Sequence, residues 1–275
     1  MLLHGGVEHS IGWVWEPSVL AGLAVLAIGY ALAVGPLRHR WHQAEPVPVL
    51  KQAAFYVGTL SVFVALVSPL DSLADEVLFS AHMVQHLLLM FLTAPLWLLG
   101  TSGWLVDRVV PEQVGTLAKR LANPMSAFLL FVAVLWFWHI PGIYEMAQES
   151  EALHIFEHLS FIGAALIGWW PVIGAETSRV PKPSPPVRMV YLFLLAVPCT
   201  ALAAILTYAK TPLYPFYVTA PHPYGLSALQ DQHLGGLLMW LPTHMFLLLA
   251  LGITFLKWFT ESDRSTEQEF VKNYS

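Results

Sequence analysis

The chain has 275 residues, of which 56% are hydrophobic and only 11% charged, with a mean hydropathy of +0.61 and a formal net charge of −5. A water-soluble domain carries about a quarter charged residues, so the composition excludes an ordinary soluble globule and makes lipid the main solvent. A single cysteine, Cys199, excludes an internal disulfide framework and a paired-cysteine metal site, and the lack of any basic run excludes nucleic acid as a partner.

Residues 1–16 contain no Lys or Arg. They lack the basic start of a secretory signal and are expected to form an extracytoplasmic arm ahead of a retained first helix. Crossing the hydrocarbon core takes about 20 apolar residues. Stretches of about that length are 17–37, 51–70, 79–100, 125–141, 152–174, 187–209 and 233–258, the fourth being short. Turn signals bound them, among them Gly35-Pro36, Ser68-Pro69, Asn123-Pro124, Pro141-Gly142 and Pro185-Pro186. Segments such as Ala21–Ala33 and Met189–Leu206 have no polar face, which a soluble helical bundle would need. The expected fold is therefore all-α, an integral membrane bundle of seven transmembrane helices over residues 17–258.

Three connecting or terminal regions stand out. Val114, Leu117, Ala118 and Leu121 follow helical spacing, with Lys119 and Arg120 off the stripe, which predicts a short helix on the membrane surface. The stretch 210–232 sets Pro212, Pro215, Pro221 and Pro223 among Tyr214, Phe216, Tyr217 and Tyr224. It reads as an ordered cap or as an interfacial aromatic belt. Residues 259–275 are polar and are expected to form a mobile cytoplasmic tail.

Charge placement supplies an orientation. Taken alternately, one set of connections holds Arg38, Arg40, Lys51, Arg108, Lys119, Arg120, Arg179, Lys182, Arg188, Lys257, Arg264 and Lys272, and the other only Lys210. Basic residues stay on the cytoplasmic side, so the N-terminus is expected outside and the C-terminus inside. The outer side then carries Glu8, Glu16, Asp71, Asp75, Glu76, Glu145, Glu149, Glu151, Glu157 and Asp231. Such a balance either follows from insertion alone or attracts cations or a basic partner.

Of twelve histidines, His39 and His42 lie in the basic connection, and the rest fall toward the other side. His4, His9 and His222 need no more than a solvated role. His82 and His86 open the third span and His154 and His158 the fifth, each pair four residues apart. That spacing puts both imidazoles on one helix face, where two of them reach one metal ion. His139 ends the fourth span, and His233 and His244 share a face of the seventh. The metal-ligand candidates are His82, His86, His139, His154, His158, His233 and His244. Glu157 and Asp231 are placed to take up the imidazoles' other N–H groups, Asp231 alternatively capping its own helix. Met90 extends the stripe of His82 and His86 by one turn, and thioether beside imidazole favours copper. Met83, Met239 and Met245 lie off the stripes and read as packing, as does Cys199.

The motifs His82-Met83-Val84-Gln85-His86, Trp138-His139-Ile140-Pro141-Gly142, Leu153-His154-Ile155-Phe156-Glu157-His158 and Asp231-Gln232-His233-Leu234-Gly235-Gly236 occur in that order. Together they resemble the CtaG family of bacterial cytochrome c oxidase assembly factors, over residues 50–258. The resemblance implies a multi-pass protein of the bacterial plasma membrane, not an enzyme, that handles copper for a haem–copper oxidase, with oxidase subunits as partners and the histidines extracytoplasmic. The residues alone leave two other readings open. Paired histidines also ligate haem b or iron in redox proteins, and a buried His244 beneath an acidic vestibule suits a metal-ion or proton-coupled transporter. A retinal protein fits poorly, because Lys257 lies at the cytoplasmic end of its span.

Overall fold

The computed structural model describes residues 11–41, 44–177, 180, 182–220, 222 and 224–274, with side chains through Asp263. His4, His9, His42, Arg179, Pro221 and Pro223 lie outside the described residues. The helices are α1 (Pro17–Val34), α2 (Val49–Val67), α3 (Pro69–Glu76), α4 (Phe79–Gly100), α5 (Gly103–Val109) and α6 (Glu112–Leu121). They continue as α7 (Pro124–Trp138), α8 (Pro141–Glu149), α9 (Glu151–Ile173), α10 (Pro185–Tyr208), α11 (Pro215–Thr219) and α12 (Ala228–Tyr274). Proline stands first in α1, α3, α7, α8, α10 and α11, the one helical position where its missing N–H costs nothing.

Six helices are long and apolar enough to cross a membrane alone: α1, α2, α4, α9, α10 and α12. The fourth expected span is the exception. α7 has 15 residues, or ~22 Å of helix, and reaches spanning length only with α6, which meets it at 76°. The described residues thus hold six to seven candidate spans. Asn123 caps α7 by accepting from the Met125 N–H at 3.1 Å. Val114 and Leu117 on α6 are exposed, as an amphipathic surface helix requires.

The polar tail differs from expectation. α12 continues past residue 258 to Tyr274 without a break, because nothing after Thr260 is a glycine or proline that would stop it.

Chain order places the starts of α4, α9 and α12 at the same end of the bundle as the ends of α2, α7 and α10. The short helices α3, α8 and α11 close that end. The strand-like residues before α1 join it too, with Val14 N–H donating to Val67 O at 2.9 Å and Ser72 Oγ donating to Gly12 O at 2.8 Å. The principal core packs α4, α7, α9, α10 and α12 around Phe79, Met83, Phe131, Phe161 and Leu195, and α1 packs on α2 at the periphery.

Two features fix α4 in place. Leu88–Thr93 forms a π-turn rather than α-helix. Pro95 has no N–H and its ring would strike the Phe91 carbonyl of a regular helix, so the turn widens, and Ala94 N–H bonds back to Leu89 O. The stranded Met90 carbonyl accepts from the Trp169 indole N–H at 3.0 Å, tying α4 to α9. At the other face, Gly235 lets α12 approach Phe79 and Met83 of α4, and the adjacent Gly236 lets it approach α10. A Cβ on Gly236 would lie 2.8 Å from Thr207 N and 3.1 Å from Ala203 O, both backbone atoms of α10. Gly236→Val is expected to destabilise the bundle by about 1–3 kcal/mol through overpacking, read as a lowered Tm in detergent; an unchanged Tm would show that α10 and α12 can part at no cost.

Candidate metal site

Five of the histidines meet at the capped end of the bundle. His82 and His86 project from the first two turns of α4, His154 and His158 from those of α9, and His139 from the residue that ends α7. Ring centroids lie 4.2 Å apart for His82 and His86, 4.3 Å for His154 and His158, 5.5 Å for His82 and His154, and 5.7 Å for His86 and His158. His139 completes the set at 6.1 Å from His86. The i, i+4 spacing on each of two adjacent helices produces this stack directly.

Glu157 stands inside the cluster. It is fully buried, and its Oε1 lies 3.6 Å from His86 Nε2 and 3.9 Å from His82 Nε2. It therefore faces the open ring nitrogens instead of backing them, as its place beside His158 had suggested. Asp75 of α3 comes from outside, with Oδ1 3.7 Å from His154 Nε2. His82 Nε2, both nitrogens of His86, the Nε2 atoms of His139, His154 and His158, both oxygens of Glu157 and Asp75 Oδ1 are buried without a hydrogen-bond partner. A single such atom costs ~1–3 kcal/mol, and buried polar atoms are normally satisfied. So dense a set of unpartnered atoms marks a place built for something else. Two triads have ligand atoms mutually within 4.8 Å: His82, His86 and His158, and Asp75, His82 and His154.

The surroundings orient these rings. His139 Nδ1–H donates to Leu135 O at 2.7 Å, which leaves its Nε2 lone pair free. Gln148 of α8 lies 3.4 Å from His82 Nδ1 and 3.4 Å from the Tyr217 hydroxyl. Tyr217 OH donates to Ala74 O at 2.9 Å and meets Tyr144 OH at 2.9 Å, while Tyr214 OH donates to His139 O at 3.1 Å. Tyr214 and Tyr217 are buried, so residues 210–220 form a cap and not an aromatic belt, and Tyr224 beyond them is exposed. Burial raises the Tyr144 and Tyr217 phenols well above their ordinary range, which keeps them protonated donors.

His233 and His244 stay apart from the cluster. His233 Nε2–H donates to Ala209 O at 2.9 Å. His244 Nδ1–H donates to Trp240 O and its Nε2 faces the Thr200 hydroxyl, both at 2.7 Å. These two imidazoles tie α12 to α10, because backbone and hydroxyl groups of α10 reach them before any other ring does. Asp231 serves neither histidine. Its carboxylate accepts from Phe79 N–H at 2.6 Å, Ser80 N–H at 3.2 Å and the Ser80 hydroxyl. It thus caps α4 across the bundle, where Leu78 offers no capping side chain and the N-terminal amides need an acceptor. Met90 is buried one turn below His86, and His39 and His222 are exposed.

Asp75, Gln148 and Tyr217 were not singled out by sequence. Their signal was faint: Ser68-Pro69 announces a short helix that turns Asp71 and Asp75 to one face. Burial, then the nearby Asp71, Glu76 and Glu157, raise the Asp75 carboxyl to about 8. A carboxyl raised on folding is protonated in the fold after the unfolded chain has ionised, so stability falls as pH rises from about 4 toward that value. The metal-free chain is expected to lose Tm across this interval, and Asp75→Asn to lose less. Parallel profiles would show that Asp75 ionises freely.

A family model described as the cytochrome c oxidase caa3 assembly factor, Caa3_CtaG, matches residues 28–261. The chain belongs to this family. Similar proteins include one from Mycobacterium bovis and one from Mycobacterium tuberculosis, each 27% identical over 278 residues and each described as uncharacterized. A Mycobacterium leprae protein, also described as uncharacterized, is 22% identical over 274 residues. Each alignment covers 93% of this CtaG-family chain and 41% of the relative, so the chain spans about two-fifths of their length. No solved structure matches it significantly. Family and helices together make this a multi-span membrane protein, consistent with the plasma membrane.

Proposed function

We propose that the chain binds copper through His82, His86, His139, His154 and His158 and supplies it to the copper centre of a maturing cytochrome c oxidase, docking on oxidase subunits. The observation that carries this reading is the group of unpartnered imidazole nitrogens around the buried Glu157 carboxylate. An uncompensated carboxylate among the helices of a membrane bundle is expensive, and a bound cation removes that cost. Imidazole with carboxylate suits copper in its +2 state. The two triads share the residue His82, whose Nδ1 faces Gln148, and we read them as alternative positions for one ion. Basic residues cluster at the far end of the bundle, and by the positive-inside rule the histidines then face the extracytoplasmic side, where copper is delivered in a bacterial plasma membrane.

A single ion suits the space better than haem. The cavity that adjoins the cluster at His86 and His139 measures only ≈ 20 Å³, whereas a macrocyclic cofactor needs a pocket of ~300 Å³ or more. Metal analysis beside an absorption spectrum tests the reading. The purified chain is expected to carry copper and to lack the intense Soret band of haem. Haem iron, or a failure to bind copper on reconstitution, would overturn it.

A further inference from the structure

Below the imidazole cluster lies a second group of potential ligands of different chemistry. The ≈ 20 Å³ cavity is lined by Met83, Met90 and Met239, by Cys199, and by His86 and His139. These residues come from α4, α7, α10 and α12, and all are at least nine-tenths buried. Both nitrogens of His86 and Nε2 of His139 have no hydrogen-bond partner. The volume is that of about one water or one small ion. The Thr243 hydroxyl is the other polar group of the lining, and the rest is sulfur and hydrocarbon.

We propose that this cavity is a separate site for monovalent copper, held by His86, His139 and the thioethers of Met90, Met83 and Met239, with the Cys199 thiol at its wall. Thioether and thiol donors select the soft +1 ion, while the imidazole and carboxylate groups above favour the harder +2 ion. His86 belongs to both. Its Nε2 lies toward Glu157 at 3.6 Å, and its Nδ1 is equally unpartnered. The bundle therefore offers copper two environments one above the other, sorted by oxidation state. Methionines on two helices would ordinarily be packing; the convergence of three on one ion-sized space with two open imidazoles is what packing does not require. This inference rests on the copper reading above.

X-ray absorption on the purified full-length chain distinguishes the two. Loaded anaerobically with Cu(I), the unaltered chain is expected to show sulfur scatterers at ~2.3 Å, an ordinary metal–sulfur separation. Loaded with Cu(II), it is expected to show only nitrogen and oxygen. The volume-conserving pair Met90→Leu and Met239→Leu should remove most of the sulfur signal and weaken Cu(I) binding by about tenfold or more, with the Cu(II) electron paramagnetic resonance spectrum unchanged. A Cu(I) spectrum without sulfur in the unaltered chain would overturn the soft site and leave the imidazole site standing. Sulfur scattering that survives in the double variant would also overturn it. Failure to bind either ion would overturn both proposals.

Discussion

A His86→Ala/His158→Ala double variant is expected to purify with little of the copper that the unaltered chain carries, its affinity reduced at least 10–100-fold. Both residues belong to the buried triad completed by His82, and His86 also faces Glu157 and His139. Two of that triad's three ligands are lost together, which leaves the less buried triad of Asp75, His82 and His154 to hold any residual copper. The metal-free variant is expected to be as stable as the unaltered metal-free chain or more so, because buried unpartnered nitrogens have been deleted and not created. A structural pair would give the reverse, lower stability with metal content unchanged. His233→Ala and His244→Ala serve as controls and should retain copper, since both side chains bond to groups on α10. Equal copper in the double variant and the unaltered chain would refute the buried triad of His82, His86 and His158 as the site.

Asp231→Ala is expected to be the most damaging single change outside the cluster. The carboxylate accepts two backbone N–H groups and a hydroxyl at the start of α4, in a site only 2% exposed. Losing it strands two amides of a helix N-terminus, at ~1–3 kcal/mol each, and removes a charge that favours that helix end. A fall of about 2–4 kcal/mol in stability follows, seen as a lower Tm in detergent. Because His82 lies one turn beyond the cap, copper occupancy should fall as well. Asp231→Asn keeps an acceptor oxygen and should lie between. A Tm within error of the unaltered chain would show that α4 holds its start by packing alone.

Long apolar runs made the membrane bundle legible from sequence, since nothing in them competes with helix. The short fourth span was less so, because its membership depends on the angle between α6 and α7, which is set by packing. Within the site, His82, His86, His154 and His158 were readable because spacing on a single helix fixes their face. His139 was readable only by its depth in the chain. His244 shows the limit: depth placed it inside the bundle, yet facing Thr200 is a property of the α10 contact. Asp231 was noticed for its own helix and works on another, 151 residues away in sequence. That Met83, Met239 and Cys199 line one cavity was not legible, because pairing between helices has no periodic signature in one sequence.

The widened turn at Leu88–Thr93 has a consequence for how the chain tolerates insertion and deletion. It accommodates an additional residue per turn, and each residue of a regular helix turns the following side chains by ~100°. α4 therefore has two rotational phases. The segment before the turn directs His82 and His86 into the cluster, while the segment after it directs the Trp97 indole N–H to the Thr59 hydroxyl of α2 at 3.1 Å. Deleting one residue here would restore a uniform helix and still span the bilayer. It would also leave only one of those two faces correctly aimed, which makes the chain's length at this point as exacting as the identity of its histidines.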